Sequence, residues 1–158
     1  MKLLETMKTK KRIINVDETW LADTEFLRRK WRQHGTTNSK ATKQIKPRIS
    51  MILSFDSEGE VYFALTQVNT NADIMKMFLS QLASRLDVDR PNWRKNSVVL
   101  LDGASYHTTN EVKLHMLHLR MPVMFTAPSS YDACPVEKFF AYMKNQDINP
   151  QMLATGKR

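Results

Sequence analysis

Three acidic residues stand where an acid is costly. Asp17 follows the apolar run Ile13-Ile14-Asn15-Val16, Asp102 closes Ser97-Val98-Val99-Leu100-Leu101, and Glu137 lies in Cys134-Pro135-Val136-Glu137-Lys138-Phe139-Phe140. Desolvating a carboxylate is unfavourable unless a partner offsets it, and a hard divalent cation shared by all three is the usual one. Such a set points to metal-dependent phosphoryl transfer. Two divalent ions roughly 3.5–4 Å apart lower the pKa of an attacking water and stabilise a leaving 3′ oxygen. Oxygen donors with no clustered Cys or His suit Mg²⁺ or Mn²⁺ rather than zinc. Each acid also has a plainer reading. Asp17 can be an ordinary strand aspartate, with Glu18 as an alternative ligand because adjacent strand residues face opposite sides. Asp102 can cap a turn, and Glu137 can be a first-turn acid favoured by the helix dipole.

The rest of the composition narrows the class. With 158 residues and 42% hydrophobic content, the chain suits one globular domain with a sizeable core. No apolar run approaches the roughly 18 residues of a membrane span, and Met1-Lys2-Leu3-Leu4-Glu5 lacks the apolar stretch of a secretory signal, so a soluble intracellular protein is expected. Cys134 is the single cysteine, which excludes an internal disulfide or a Cys-rich zinc site. The net charge of +8 is concentrated: residues 1–50 carry 13 Lys/Arg against 5 Asp/Glu, and the remainder is balanced at 11 against 11. Basic clusters around Lys10, Lys11 and Arg12, around Arg28, Arg29, Lys30, Trp31 and Arg32, and around Lys43 are suited to phosphates, which makes nucleic acid the expected partner, the plainer reading being a solvated basic face.

The acids need elements to hold them. Arg12 to Asp17 has the β-branched content of a buried central strand with Asp17 on it or at its end. Residues 33–47 are polar and turn-rich and read as a loop. Segments 49–55 and 61–67 flank a turn containing Gly59 and form an antiparallel hairpin. Ile74, Met77, Phe78, Leu82 and Leu86 recur at helical spacing, with Thr70 and Asp73 as a capping box. After a loop from Asp87 to Asn96, Val98 to Leu101 reads as a doubly buried strand. Thr108 and Glu111 cap a helix to about Leu119, and Pro122 to Phe125 is a short strand reached by a parallel crossover. Pro135 opens a last helix with Phe139, Phe140 and Met143 on one side. The result is an α/β fold, a mixed five-stranded sheet with flanking helices and Asp102 at a strand's carboxyl end, where open sheets bind ligands. His115 and His118, at i and i+3, have no third ligand nearby and are expected to pack or face solvent.

Four segments in order, Val16-Asp17-Glu18-Thr19, Lys30-Trp31-Arg32-Gln33-His34-Gly35, Leu101-Asp102-Gly103-Ala104-Ser105-Tyr106-His107 and Ala127 through Glu137, resemble the catalytic domain of Tc1/mariner and IS630-type transposases of the DDE superfamily. The 34 residues between Asp102 and Glu137 match the DD34E arrangement of that group. The resemblance implies an RNase H-like fold, two Mg²⁺ (or Mn²⁺) ions held by the catalytic triad Asp17, Asp102 and Glu137, and Glu18 and His107 beside them. It implies nicking of transposon ends by water, then attack of the freed 3′ hydroxyl on target DNA, with DNA and a homodimer as partners and no membrane. On this reading residues 1–12 are a basic linker, 13–150 the catalytic domain and 151–158 a tail. The location is the nucleus in a eukaryotic host, where Lys8 to Arg12 resembles a localisation run, and otherwise the cytoplasm or nucleoid. The family's paired helix-turn-helix region does not precede these motifs, so a catalytic core, fragment or repurposed copy is expected. Gly103 replaces the family's Asn after the second acid. Cys134 replaces an Asn before Pro135, removing a helix cap worth about 1 kcal/mol, with Asp132 the nearest substitute. The alternatives are a non-catalytic or domesticated DNA-binding remnant and a nuclease acting on RNA–DNA hybrids.

Overall fold

The computed structural model describes residues 8–21, 49–127 and 135–145. Strand β1 (Arg12–Leu21) pairs antiparallel with β2 (Ile49–Asp56), and β2 pairs antiparallel with β3 (Val61–Thr66) through a turn in which Gly59 has φ +89°. On the other side of β1, strand β4 (Ser97–Leu101) runs parallel to it, and β5 (Val123–Phe125) runs parallel to β4. The order β3-β2-β1-β4-β5 is the mixed five-stranded sheet expected. β1 extends past Asp17 to Leu21, so Asp17 lies within the strand.

Helices cover both faces. Helix α1 (Ala72–Asp89) and helix α3 (Asn110–His118) pack with Ile14, Val16, Ile52, Val99 and Leu101 on one side, and helix α4 (Pro135–Asn145) packs with Met51 and Leu53 on the other. Alternation along β1 assigns the faces: Ile14 and Val16 go to the α1 and α3 side, and Asn15 and Asp17 to the α4 side. All five residues of β4 are buried, as a strand sandwiched between helical layers requires.

Three local expectations shift. Met75 and Leu79 of α1 are fully buried with Phe78, Leu82 and Leu86, whereas Met77 is 63% exposed, because the helix is rotated slightly from the phase its Ile and Met positions suggest. The caps move by one residue. Asn71 rather than Thr70 accepts from the Ile74 N–H at 3.0 Å, and Thr109 rather than Thr108 accepts from the Val112 N–H at 3.3 Å. Two capping types stand side by side in each case, and the one three residues before the donor is the one within reach. The expected loop 87–96 is shorter: α1 continues to Asp89, and one helical turn, α2 (Trp93–Asn96), buries Trp93 with its indole N–H donating to Asp87 at 2.7 Å.

Candidate catalytic site

Val16 of β1 lies beside Leu101 of β4, so the next residues, Asp17 and Asp102, leave adjacent parallel strands side by side. β4 ends there while β1 continues, which opens the sheet at the two carboxylates. Asp102 turns the chain by accepting the Ala104 N–H at 3.1 Å, an aspartate turn that leads toward α3. His107, fully buried, spans two acids: Nδ1 is 2.5 Å from Asp102 Oδ1 and Nε2 is 3.2 Å from Glu18 Oε2. The Tyr106 ring stands edge-on to it at 4.5 Å. Glu18 therefore faces His107, while Asp17 points to the other side of β1.

The third acid is carried by α4. Val136 and Phe140 are buried against Met51 and Leu53, and Phe55 stacks on Phe139 at 5.8 Å. The Val136 N–H, which a first helical turn leaves without a partner, donates to Asn15 Oδ1 at 3.1 Å. Asn15 Nδ2 in turn donates to the Leu100 carbonyl at 3.3 Å. The element bearing Glu137 is thereby tied to the strands bearing Asp17 and Asp102.

Charge accumulates at this edge. Burial pushes the Asp17 carboxyl up to about 7 against a bond from the Glu18 N–H at 2.8 Å, and the charges of Glu18, Asp102 and Glu137 add to the rise. Asp102 is held below the usual carboxylate range, chiefly by His107. Burial by itself would lower His107, yet its bonds to Asp102 and Glu18 outweigh this and bring it to about 9, so it is an imidazolium at neutral pH. Among the described residues Asp17 has no such cation beside it. Its electrostatics and the all-oxygen donor set of the three acids fit a hard divalent ion. Among the described residues, however, no three acidic, His or Cys side chains as placed form a ready metal cage, and Glu137 is exposed.

The expected DNA contacts divide. Lys10 is exposed and Lys11 half-buried. Arg12 does not face outward: its side chain is 6% exposed and ion-paired with buried Asp56, and with Glu58 at 2.9 Å. A guanidinium beginning a central strand is held there by an acid ending the neighbouring one. Arg28, Arg29, Lys30, Trp31, Arg32 and Lys43 lie outside the described residues. A hollow of about 480 Å³ lined by Lys10, Arg12, Glu58 and Arg90 opens at the other end of β1 and β4, away from the acids. Its charges largely pair, Arg90 reaching Glu58 at 3.2 Å and Glu60 at 2.7 Å. His115 has a structural role, its Nε2 lying 2.7 Å from Ser80 Oγ and 3.1 Å from the Lys76 carbonyl, and joins α3 to α1. Asn15 was the residue missed. An amide within an apolar strand, two positions before Asp17, must find buried partners, and that was the available signal.

The fold is similar to that of known proteins. The Mos1 mariner paired-end complex with Mn is similar at 25% identity and TM-score 0.71 over 90% of this chain and 45% of that one. The catalytic domain of Mos1 mariner transposase is similar at 25% identity and TM-score 0.64, over 89% and 64%. The Mos1 transposase catalytic domain with Raltegravir and Mn is similar at 25% identity and TM-score 0.65, over 89% and 64%. The chain thus spans about half the length of Mos1 in the paired-end complex, and its sheet and helices have the RNase H-like form of the Mos1 catalytic domain. No curated protein matches the chain. The sequence profile of the DDE superfamily endonucleases matches residues 12–157, and the chain belongs to that family, with a mariner-like, RNase H-like catalytic domain.

Proposed function

We propose that this domain cleaves DNA strands in a metal-dependent manner and transfers the resulting 3′ hydroxyl to target DNA, as a transposase catalytic core. The observation that carries the reading is that Asp17 of β1 and Asp102 lie side by side where β4 ends and β1 continues, with the helix of Glu137 tied to both strands. Asp17, Asp102 and Glu137 would hold two Mg²⁺ or Mn²⁺ ions, which when bound supply water activation and stabilisation of the departing 3′ oxygen. The protein's own contribution is orientation and charge. Asp17 presents a carboxylate that burial and neighbouring acids raise to about 7, so that a bound cation would favour its ionised form. His107, held between Asp102 and Glu18, and the Ala104 N–H both engage Asp102 Oδ1 and so restrain the rotation of that carboxylate. Lys10 and Lys11 are available to backbone phosphates. In the overall reaction water attacks a phosphodiester and its P–O3′ bond breaks, and the freed 3′ hydroxyl then attacks a phosphodiester of a second duplex, whose own P–O3′ bond breaks to leave a 3′ hydroxyl on that strand. DNA as the partner is supported by Mos1, solved as a paired-end complex with the left transposon end.

Nicking of supercoiled plasmid by the full chain, with Mn²⁺, Mg²⁺ or EDTA, tests this. Nicking that needs the metal and falls at least a hundredfold in Asp102→Asn is expected. No nicking in any metal, with salt-sensitive DNA binding equal in both proteins, would favour a DNA-binding remnant. Cleavage confined to the RNA strand of a hybrid would favour the hybrid nuclease.

A further inference from the structure

Asn15 touches all three elements that carry the acids. It lies on β1 two residues before Asp17, donates to the carbonyl of Leu100 two residues before Asp102, and accepts from the N–H of Val136 one residue before Glu137. The residue is 2% exposed, so neither bond competes with bulk water. A planar amide donates and accepts without charge from two separate atoms, which lets it reach two elements at once. An aspartate there keeps the acceptor and gives up the donor, and a leucine keeps the volume and gives up both. The position also answers a local deficiency. Cys134, the residue before Pro135 in sequence, is a poor capping type, and the Val136 N–H is capped instead by a side chain 121 positions away in sequence.

We infer that Asn15 is a positioning residue: it acts as a long-range cap that sets the first turn of α4, and so Glu137, against Asp17 and Asp102. Resting on the proposed metal-dependent function, this implies that Asn15 governs divalent-ion affinity through Glu137 without touching the ion. Its neighbours make the effect directional. Val136 and Phe140 already bind α4 to the sheet through apolar contact, so loss of the amide leaves the helix docked while its first turn loses the hydrogen bond that fixes its orientation.

The test combines two readouts on the full chain. The first is Mn²⁺ affinity, from electron paramagnetic resonance of free Mn²⁺, in wild type, Asn15→Ala, Glu137→Gln and the double variant. Asn15→Ala is expected to weaken binding about tenfold, the usual scale for outer-sphere partners of a metal site. In the Glu137→Gln background the same change is expected to have almost no further effect, because Asn15 acts through that carboxylate. The second is amide hydrogen exchange at Val136, expected to accelerate in Asn15→Ala more than at Phe140 and to return toward wild type in Asn15→Asp, which restores the acceptor. Unchanged Mn²⁺ affinity in a folded Asn15→Ala protein, or losses that simply add in the double variant, would overturn the inference. If Asn15→Ala does not fold, Asn15→Leu and Asn15→Asp are compared in its place, and equal Val136 exchange in both would overturn it. Wild type that binds no Mn²⁺ through its carboxylates would instead remove the functional reading and with it the metal role of Asn15, while Val136 exchange still decides whether the cap exists.

Discussion

Asp17 and His107 show how one sheet edge treats like and unlike neighbours. His107 sits between two acids and gains its proton. Asp17 sits among acids and keeps its own up to about pH 7. Because the folded-state value of Asp17 is raised above the ordinary 3.8, the folded protein holds a proton that the unfolded chain releases. That contribution to stability is complete below about pH 4 and is lost as pH rises through about 7. His107 is also raised, so its contribution is present below about pH 6.5 and is lost as pH rises through about 9. In EDTA, Asp17→Asn is therefore expected to be more stable than wild type at pH 8, by an amount on the order of 3 kcal/mol, with the gain vanishing near pH 4. Urea unfolding across that range measures it, and equal pH profiles in the two proteins would show that Asp17 is not strained. A stabilising loss of this kind is expected where a site is arranged for a ligand rather than for its own stability.

At the scale of elements, helix ends mark the limit of what spacing can locate. The pairs Thr70-Asn71 and Thr108-Thr109 each offer two capping residues, and a one-residue choice between them depends on which oxygen meets an N–H in three dimensions. Asn71→Ala is expected to cost about 1 kcal/mol and Thr70→Ala less than about 0.5, since Asn71 accepts from Ile74 whereas the Thr70 hydroxyl has no hydrogen-bond partner among the described residues. Thermal unfolding of the two variants decides it, and the reverse order would restore the capping box. The same ambiguity explains Met77: its spacing fits the apolar stripe of α1, but the register that buries Met75 and Leu79 against Ile14 and Val99 turns Met77 outward. Strand identities were easier to read, because β-branched runs such as Ile13-Ile14 and Val98-Val99 have few alternatives to a buried strand.

Across the whole molecule, positive charge divides into a part that folds the protein and a part left for a polyanion. Arg12→Gln is expected to cost about 3 kcal/mol, because it leaves Asp56 buried and uncompensated, and to shift the denaturation midpoint accordingly. Lys10→Gln with Lys11→Gln is expected to leave that midpoint in place and to reduce the salt slope of DNA binding by about 2, measured by fluorescence anisotropy over a salt series. If the lysine pair changes stability and Arg12 changes only the salt slope, the division is wrong. Nothing in the run Lys10-Lys11-Arg12 distinguishes the three, since the partner of Arg12 lies 44 residues away in Asp56. Residue type and order along the chain were enough to determine the strands, the hairpin, the parallel crossover and the family, and to single out the three acids as candidates, because hydrophobic period, turn chemistry and a 34-residue interval are local or one-dimensional properties. Only the tertiary structure decided which cap is used, which arginine is buried, that His107 joins Asp102 to Glu18, and that Asn15 ties together the elements of Asp17, Asp102 and Glu137. Each of those depends on a partner brought close by strand pairing and helix docking, and distance along the chain carries no record of which distant polar group will be within hydrogen-bond reach once the core has closed.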